Sequence, residues 1–507
     1  MKYKLIVLAI VLTSLIVVYS QLETDESIVY LKANLEYLAS DELEGREATK
    51  RGEDLAAMFI ASELKKYGVE PFGDSGSYFQ KFDVQISSVS KSSAVAFQSG
   101  NDKYELNPDT DFIVDRRGFP LQNSSAEMLD IVFANYGIVS EEHEMNDYID
   151  LDVKNKAVVV FDDLPNDEKF SRVDTRKYGT WTAKRKIAIE QGAAALIIIL
   201  SNEYYNRWDG LHRRMFSESF TLVANEEKDF GLPTLAFSQA TFEQFFKDEE
   251  FSFEQLSEMK ENGENAKSFI LNKKLSFYLH EKSEIDKAQN VVGIIIGNNN
   301  KLSETFIAVT AHYDHVGVNN GEVYNGADDN GSGTVTILEA ARQLALIKQN
   351  ERSILFVFHT AEEKGLLGSK YLTANAEYTD SIIANINMDM VGRGPENEIY
   401  CIGSGKLSSQ FYELVKNVNE ESVQFSLDYK FDAEDDPNRY YYRSDHYEYA
   451  KRNIPVVFFF DEMKEDYHKP TDDVEKINFN KLKKMVKLTA GIALSAANLP
   501  ARLSIDN

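Results

Sequence analysis

The stretch ILFVFHTAEEKG, residues 354–365, runs from an unbroken apolar segment straight into two adjacent glutamates, Glu362 and Glu363. An apolar run of this length predicts a strand covered on both faces, as in parallel sheets. Like charges side by side at the end of a buried strand are costly unless something positive faces them. The same pattern recurs downstream of Asn290. NVVGIII (290–296), TFIAVTA (305–311), SIIANINMDM (381–390) and IPVVFFF (454–460) are apolar and alternate with helical segments, above all Gly333–Ile347. This repetition predicts the α/β class, with a mostly parallel-centred sheet flanked by helices on both faces.

The predicted strands run directly into residue types that ligate metals. TFIAVTA leads to His312, Tyr313 and Asp314, with Asp328 and Asp329 in the next loop, NGADDNGSG. ILFVFHT leads to Glu362 and Glu363, IIANINM to Asp389, and IPVVFFF to a loop that carries His468. In an open parallel sheet the carboxyl ends of the strands converge on one crevice. Taken singly, each residue is ordinary: GADDNGSG would serve as a helix cap, and His468 as an exposed loop residue. The loop lacks the alternation of a calcium-binding EF-hand. Taken together at successive strand ends they predict a metal site. Two imidazoles and three carboxylates, one of them bridging, suit a cocatalytic zinc pair able to clamp an attacking oxygen and a substrate carbonyl.

The rest of the chain sets the context. Lys2 and Lys4 precede the apolar run Leu5–Val18, and a small residue, Ser20, follows, so residues 1–20 read as a signal peptide. A retained anchor is the runner-up, although the run is shorter than the ~20 residues of a spanning helix. The expected location is exported, periplasmic or extracellular, with no stable membrane span after cleavage. A formal charge of −27, from 55 basic and 82 acidic side chains, argues against nucleic acid as a partner. The single cysteine, Cys401, reads as a buried strand residue and allows no intrachain disulfide. Residues 21–85 and 285–507 read as one catalytic domain. Residues 86–284 have a different texture, with strand, helix and strand at 156–200, a further strand at 232–238, no clustered His, Cys or Asp set, and a polar exit at 247–268. They read as an inserted domain that covers the cleft, filters substrate size, mediates homodimerisation or is passive.

The ordered set AHYDH, NGADDNGSG, AEEKGLLGS, NINMDMVGR and DYHKPTDD closely resembles the cocatalytic dizinc aminopeptidase family, which includes bacterial leucyl aminopeptidases and relatives of glutamate carboxypeptidase. The insert resembles the protease-associated domain of many members. The resemblance implies two Zn2+ per chain: His312 and Asp389 on one, Glu363 and His468 on the other, and Asp329 bridging. It implies Asp314 as the residue orienting His312, Glu362 as general base, and Tyr441 as a donor to the oxyanion. Asp328 is not a family ligand, and Asn330 stands where some members have a third Asp. The implied activity is hydrolysis of N-terminal residues from peptides with a free N-terminus. The alternatives are a glutamate-carboxypeptidase-like exopeptidase, a single-zinc glutaminyl cyclase, and a non-catalytic receptor of the same fold.

Overall fold

The computed structural model describes residues 26–115, 124–166, 170–223 and 231–506. The segment read as a signal peptide lies outside them. No helix among the described residues is long and apolar enough to cross a membrane. The chain divides into two compact units, one of the residues up to Val84 together with Asp286–Asn507, the other Gln85–Ile285.

The first unit opens with two helices, α1 (Glu26–Leu38) and α2 (Arg51–Tyr67). Gly68 ends α2 at φ 78°, a left-handed conformation that glycine adopts without a Cβ penalty. The main strands are β1 (Phe79–Val89), β2 (Glu281–Ile295), β3 (Phe306–His312), β4 (Ser353–His359), β5 (Ile382–Met388), β6 (Glu398–Ile402), β7 (Ser426–Asp428) and β8 (Val456–Phe460). They lie in the order β1-β2-β4-β3-β5-β8-β6-β7. The central four, β4, β3, β5 and β8, are mutually parallel, and β2 and β6 run antiparallel on either side. The apolar strands of the sequence are therefore the buried centre of the sheet.

Their unbroken hydrophobicity has a direct cause. In β3, Ile307, Val309 and Ala311 enter one core, and Phe306 and Ala308 enter the other. In β4, Ile354, Phe356 and Phe358 face the first core, and Leu355 and Val357 the second. Successive side chains point to opposite faces, so a strand covered on both sides is apolar at most positions, and a polar residue within it, such as Thr310, is hydrogen-bonded inside the core. The helix α3 (Gly333–Ile347) packs on the first face with α1, α2 and α5 (Phe479–Ala497), and α4 (Leu367–Asn375) contributes to the second. Cys401 is buried in β6, where burial pushes its thiol up to about 12, away from reactivity.

The second unit has its own eight-stranded sheet and its own core. Its parallel centre is Ser124–Phe133, Ala157–Phe161, Ala195–Ile199 and Thr234–Phe237. Two features differ from the sequence reading. The polar stretch 247–268 contains a helix, Phe253–Glu261, started by a Ser252–Gln255 capping box and seated on buried Phe253 and Leu256. In addition, His143 meets Asp174 at 3.0 Å, with Glu142 alongside.

Phe356 is fully buried in β4, at the centre of the first core. Phe356→Ala is expected to lower stability by about 3–5 kcal/mol, read from the shift of the urea unfolding midpoint.

Candidate metal centre

The carboxyl ends of β3, β4, β5 and β8 bring the ligand-type residues together. Strands β3 and β4 pair in register, with His312 opposite His359. His312 is the last residue of β3 and is almost fully buried. Its Nδ1 lies 3.1 Å from the Asp314 backbone carbonyl, which fixes the tautomer that turns the Nε2 lone pair outward. That Nε2 is 3.3 Å from Asp389 Oδ1 and 3.5 Å from Asp329 Oδ1. Asp329 Oδ2 reaches the opposite way, to His468 Nε2 at 3.2 Å and His315 Nδ1 at 3.8 Å. Glu363 Oε1 lies 3.1 Å from both His468 Nε2 and His315 Nδ1. Two donor groups result, His312–Asp329–Asp389 and His315–Asp329–Glu363–His468, and Asp329 belongs to both.

The spacing fits a metal. Donors ~2.0–2.2 Å from a tetrahedral zinc lie ~3.3–3.6 Å from one another, and the observed separations cluster about that value. Imidazole nitrogen with carboxylate oxygen is also the donor chemistry zinc accepts. Glu362 belongs to neither group; its Oε2 is 3.9 Å from His312 Nε2.

The adjacent glutamates have opposite electrostatics. Burial, opposed by the His312 charge and reinforced by Glu363 and Asp389, pushes Glu362 well above the ordinary carboxylate range. Burial would raise Glu363 too, but hydrogen bonds from His315 and His468 outweigh it and hold Glu363 well below that range. For His468, burial is outweighed by Asp329 and Glu363, and the ring is raised to about 10.

Several supports were not evident in the sequence. The Asp314 carboxylate accepts the backbone N–H groups of Glu362 (3.1 Å) and Glu363 (3.3 Å), so it holds the glutamate turn. It is 3.6 Å from His312 Nδ1, and the nearer partner of that nitrogen is the Asp314 carbonyl. Asp472 accepts the N–H groups of Asp328 and Asp329, each at 3.0 Å. Ser444 donates to Asp389 Oδ2 at 2.7 Å and accepts from Asn387 at 2.9 Å. Asn330 turns away from the donor groups: its amide donates to the Met388 carbonyl and its oxygen accepts from Gly333 and Met390, tying the loop to the end of β5. Arg46 is buried and donates to the carbonyls of Tyr313, Asn325 and Gly326, placing a guanidinium beneath the carboxylates. Burial lowers it to about 10, and it stays charged at neutral pH.

An open cleft of about 360 Å³ reaches the centre, lined by His312, Asp329, Glu362, Glu363 and Asp389 and walled by Met390, Tyr440, Arg443, Phe458, Phe460, Met463 and Tyr467. Tyr441 is not among these residues. Its ring packs against His446 and Tyr447 under the Lys406 ammonium. Tyr467 lines the cleft and stacks on His468 at 3.8 Å between ring centroids. Its position directly before a ligand-type histidine was the available sequence signal.

Residues 290–493 match the model of peptidase family M28. They are an M28 peptidase domain. The probable leucine aminopeptidase of Arthroderma benhamiae is 31% identical over 207 residues, covering 38% of this chain and 55% of that protein. Aminopeptidase YwaD of Bacillus subtilis is 30% identical over 220 residues, covering 41% and 45%. The chain thus spans about half the length of the curated relatives it matches. An aminopeptidase from Aneurinibacillus sp. strain AM-1 shares the fold at a TM-score of 0.55, with 18% identity over 96% of this chain and 98% of its own. BSAP, a zinc aminopeptidase from Bacillus subtilis, does so at 0.50, with 21% identity over 93% and 95%. The residues of the two donor groups that share Asp329 all lie inside residues 290–493.

His359 closes β4 within the M28 domain but stays out of the donor groups, held between Asn290 and Tyr449. Burial lowers its pKa to about 3, so the folded state keeps it neutral while the unfolded chain protonates it near 6.5. Its contribution is therefore fully present above pH 6.5 and is lost as pH falls towards 3. Urea unfolding of the wild type is expected to lose up to about 1.4 kcal/mol per pH unit more than His359→Gln across that window.

Proposed function

We propose that the protein is an exported zinc metallopeptidase that removes N-terminal residues from peptides. The observation that carries this reading is the pair of donor groups sharing Asp329, with an uncommitted, partly buried Glu362 beside them at the floor of an open cleft. Support also comes from the M28 domain and from relatives named as leucine and zinc aminopeptidases.

On this reading His312, Asp389, Glu363, His468 and the shared Asp329 would hold two zinc ions. Bound there, the metals supply Lewis acidity towards the scissile carbonyl and the attacking water. Glu362 accepts the water proton at a carboxylate oxygen and delivers it to the leaving amine. Its raised proton affinity suits both halves of that transfer. Tyr467 is the phenol we assign to the oxyanion, in place of Tyr441, because it lines the cleft. The carboxylates of the cleft favour a substrate's α-ammonium. We read residues 1–20 as the export signal and Gln85–Ile285 as a protease-associated-type insert.

A second reading rests on Arg443, which lines the same cleft beside Tyr440 and could hold a substrate carboxylate, as a glutamate-carboxypeptidase-like enzyme requires. Peptides blocked at one end or the other separate the two: N-acetylation is expected to abolish cleavage and C-terminal amidation to spare it. Glu362→Gln is expected to lower kcat by at least about 100-fold while zinc content stays near the wild-type value. Retained turnover would remove Glu362 as the base. Chelation of the metal is expected to abolish activity, and added zinc to restore it.

A further inference from the structure

We propose that His315 is a fourth protein ligand of the second metal position, closing that position and leaving the first as the open one. The inference rests on the metallopeptidase reading for the identity of the metal, and on the geometry around His315 for everything else.

His315 is fully buried and lies three residues beyond His312. Its ring is pinned. The backbone N–H donates to the Arg46 carbonyl at 3.2 Å, and Gly326 packs so closely that a Cβ there would come within 2.5 Å of the imidazole. Held in this way, Nδ1 points at the same Glu363 oxygen that His468 Nε2 approaches, and both imidazoles stand 3.1 Å from it. Their rings meet edge to face, with centroids 5.6 Å apart. Two imidazole nitrogens and two carboxylate oxygens thus surround one point. The His–carboxylate separations in this group, 3.1, 3.1, 3.2 and 3.8 Å, bracket the tetrahedral spacing, and the 3.3 and 3.5 Å of the first group fall within it. By the same measure that assigns His312, His315 is a ligand.

The two positions then differ in kind. The first has three protein donors, which leaves a coordination site for water or substrate; the second has four and is complete. The cleft agrees with this division. All three donors of the first position, His312, Asp329 and Asp389, line it, whereas of the four donors of the second only Asp329 and Glu363 do and the two imidazoles, His315 and His468, do not. On this account Asp329 links a metal that organises the site to a metal that faces the substrate.

The test is metal binding, which is read without turnover. Purified wild type, His315→Ala and His315→Gln would be titrated with Zn2+ against a competing chelator, and with Co2+ while its visible absorption is followed. The wild type is expected to bind two ions. Both variants are expected to keep one and to weaken the other by more than about 100-fold, the upper range for losing a residue that only orients a ligand. The Co2+ spectrum of the weakened site should change. His315→Gln keeps a hydrogen-bond donor for Glu363, so a merely orienting role would be largely preserved in it. If either variant binds both ions within about 100-fold of the wild type with an unchanged Co2+ spectrum, the proposal is overturned. A wild type that binds a single ion overturns it as well. Failure here leaves the peptidase reading standing, since that reading is decided by Glu362→Gln and the peptide panel.

Discussion

Everything at the centre of this molecule depends on keeping several carboxylates buried beside one another. Asp314, Asp328, Asp329, Asp389 and Asp472 are all buried around the ends of the parallel strands, next to Glu362 and Glu363. In a medium of low polarity such a group is tolerated only where each oxygen finds an N–H, a hydroxyl or a positive charge. The structure meets most of that demand in layers, and Asp328, whose Oδ2 has no hydrogen-bond partner, is instead pushed by burial well above the ordinary carboxylate range. Backbone N–H groups of two loops close onto Asp314 and Asp472, the Ser444 hydroxyl closes onto Asp389, and the Arg46 guanidinium underlies the two loops that follow β3. The demand left over, facing the cleft, is met by imidazoles and by the metals they would hold.

Much of the fold was legible because strands covered on both faces leave an unmistakable apolar signature, and because the ligand-type residues follow those strands at once. Gly333–Ile347, for instance, is the helix read from the sequence. What escaped reading depends on contacts between distant segments. Asp472 supports Asp329 from 143 residues away, and Ser444 reaches Asp389 across 55. No local spacing announces either. Tyr441 is read from its place before SDH; the turn of the Tyr440–Tyr442 segment packs its ring against His446, a contact that no local spacing announces. His315 sat in plain view within AHYDH, but its ring direction is set by Arg46 and Gly326, from two other loops. In the second unit, the helix at 253–261 was masked by its charged composition, although Ser252 and Gln255 carried the capping signal.

The polar residues inside the sheet are part of the same design. The Thr310 hydroxyl donates to Asn387, and the Asn387 amide donates to Ser444, which donates to Asp389. A chain of neutral groups thus crosses an otherwise apolar interior with each link satisfied. It joins β3, β5 and the Ser444 loop, so the orientation of the Asp389 carboxylate is set from within the core rather than by solvent.

The alternation of β3 and β4 between two cores has a last consequence. A one-residue slip between these strands would send every side chain to the opposite face, and it would also carry His312 away from the turn that presents Glu362 and Glu363. No misaligned sheet could therefore keep the two donor groups together. These groups serve as a gauge of assembly, because they meet only in chains whose whole interior has closed in the correct alignment.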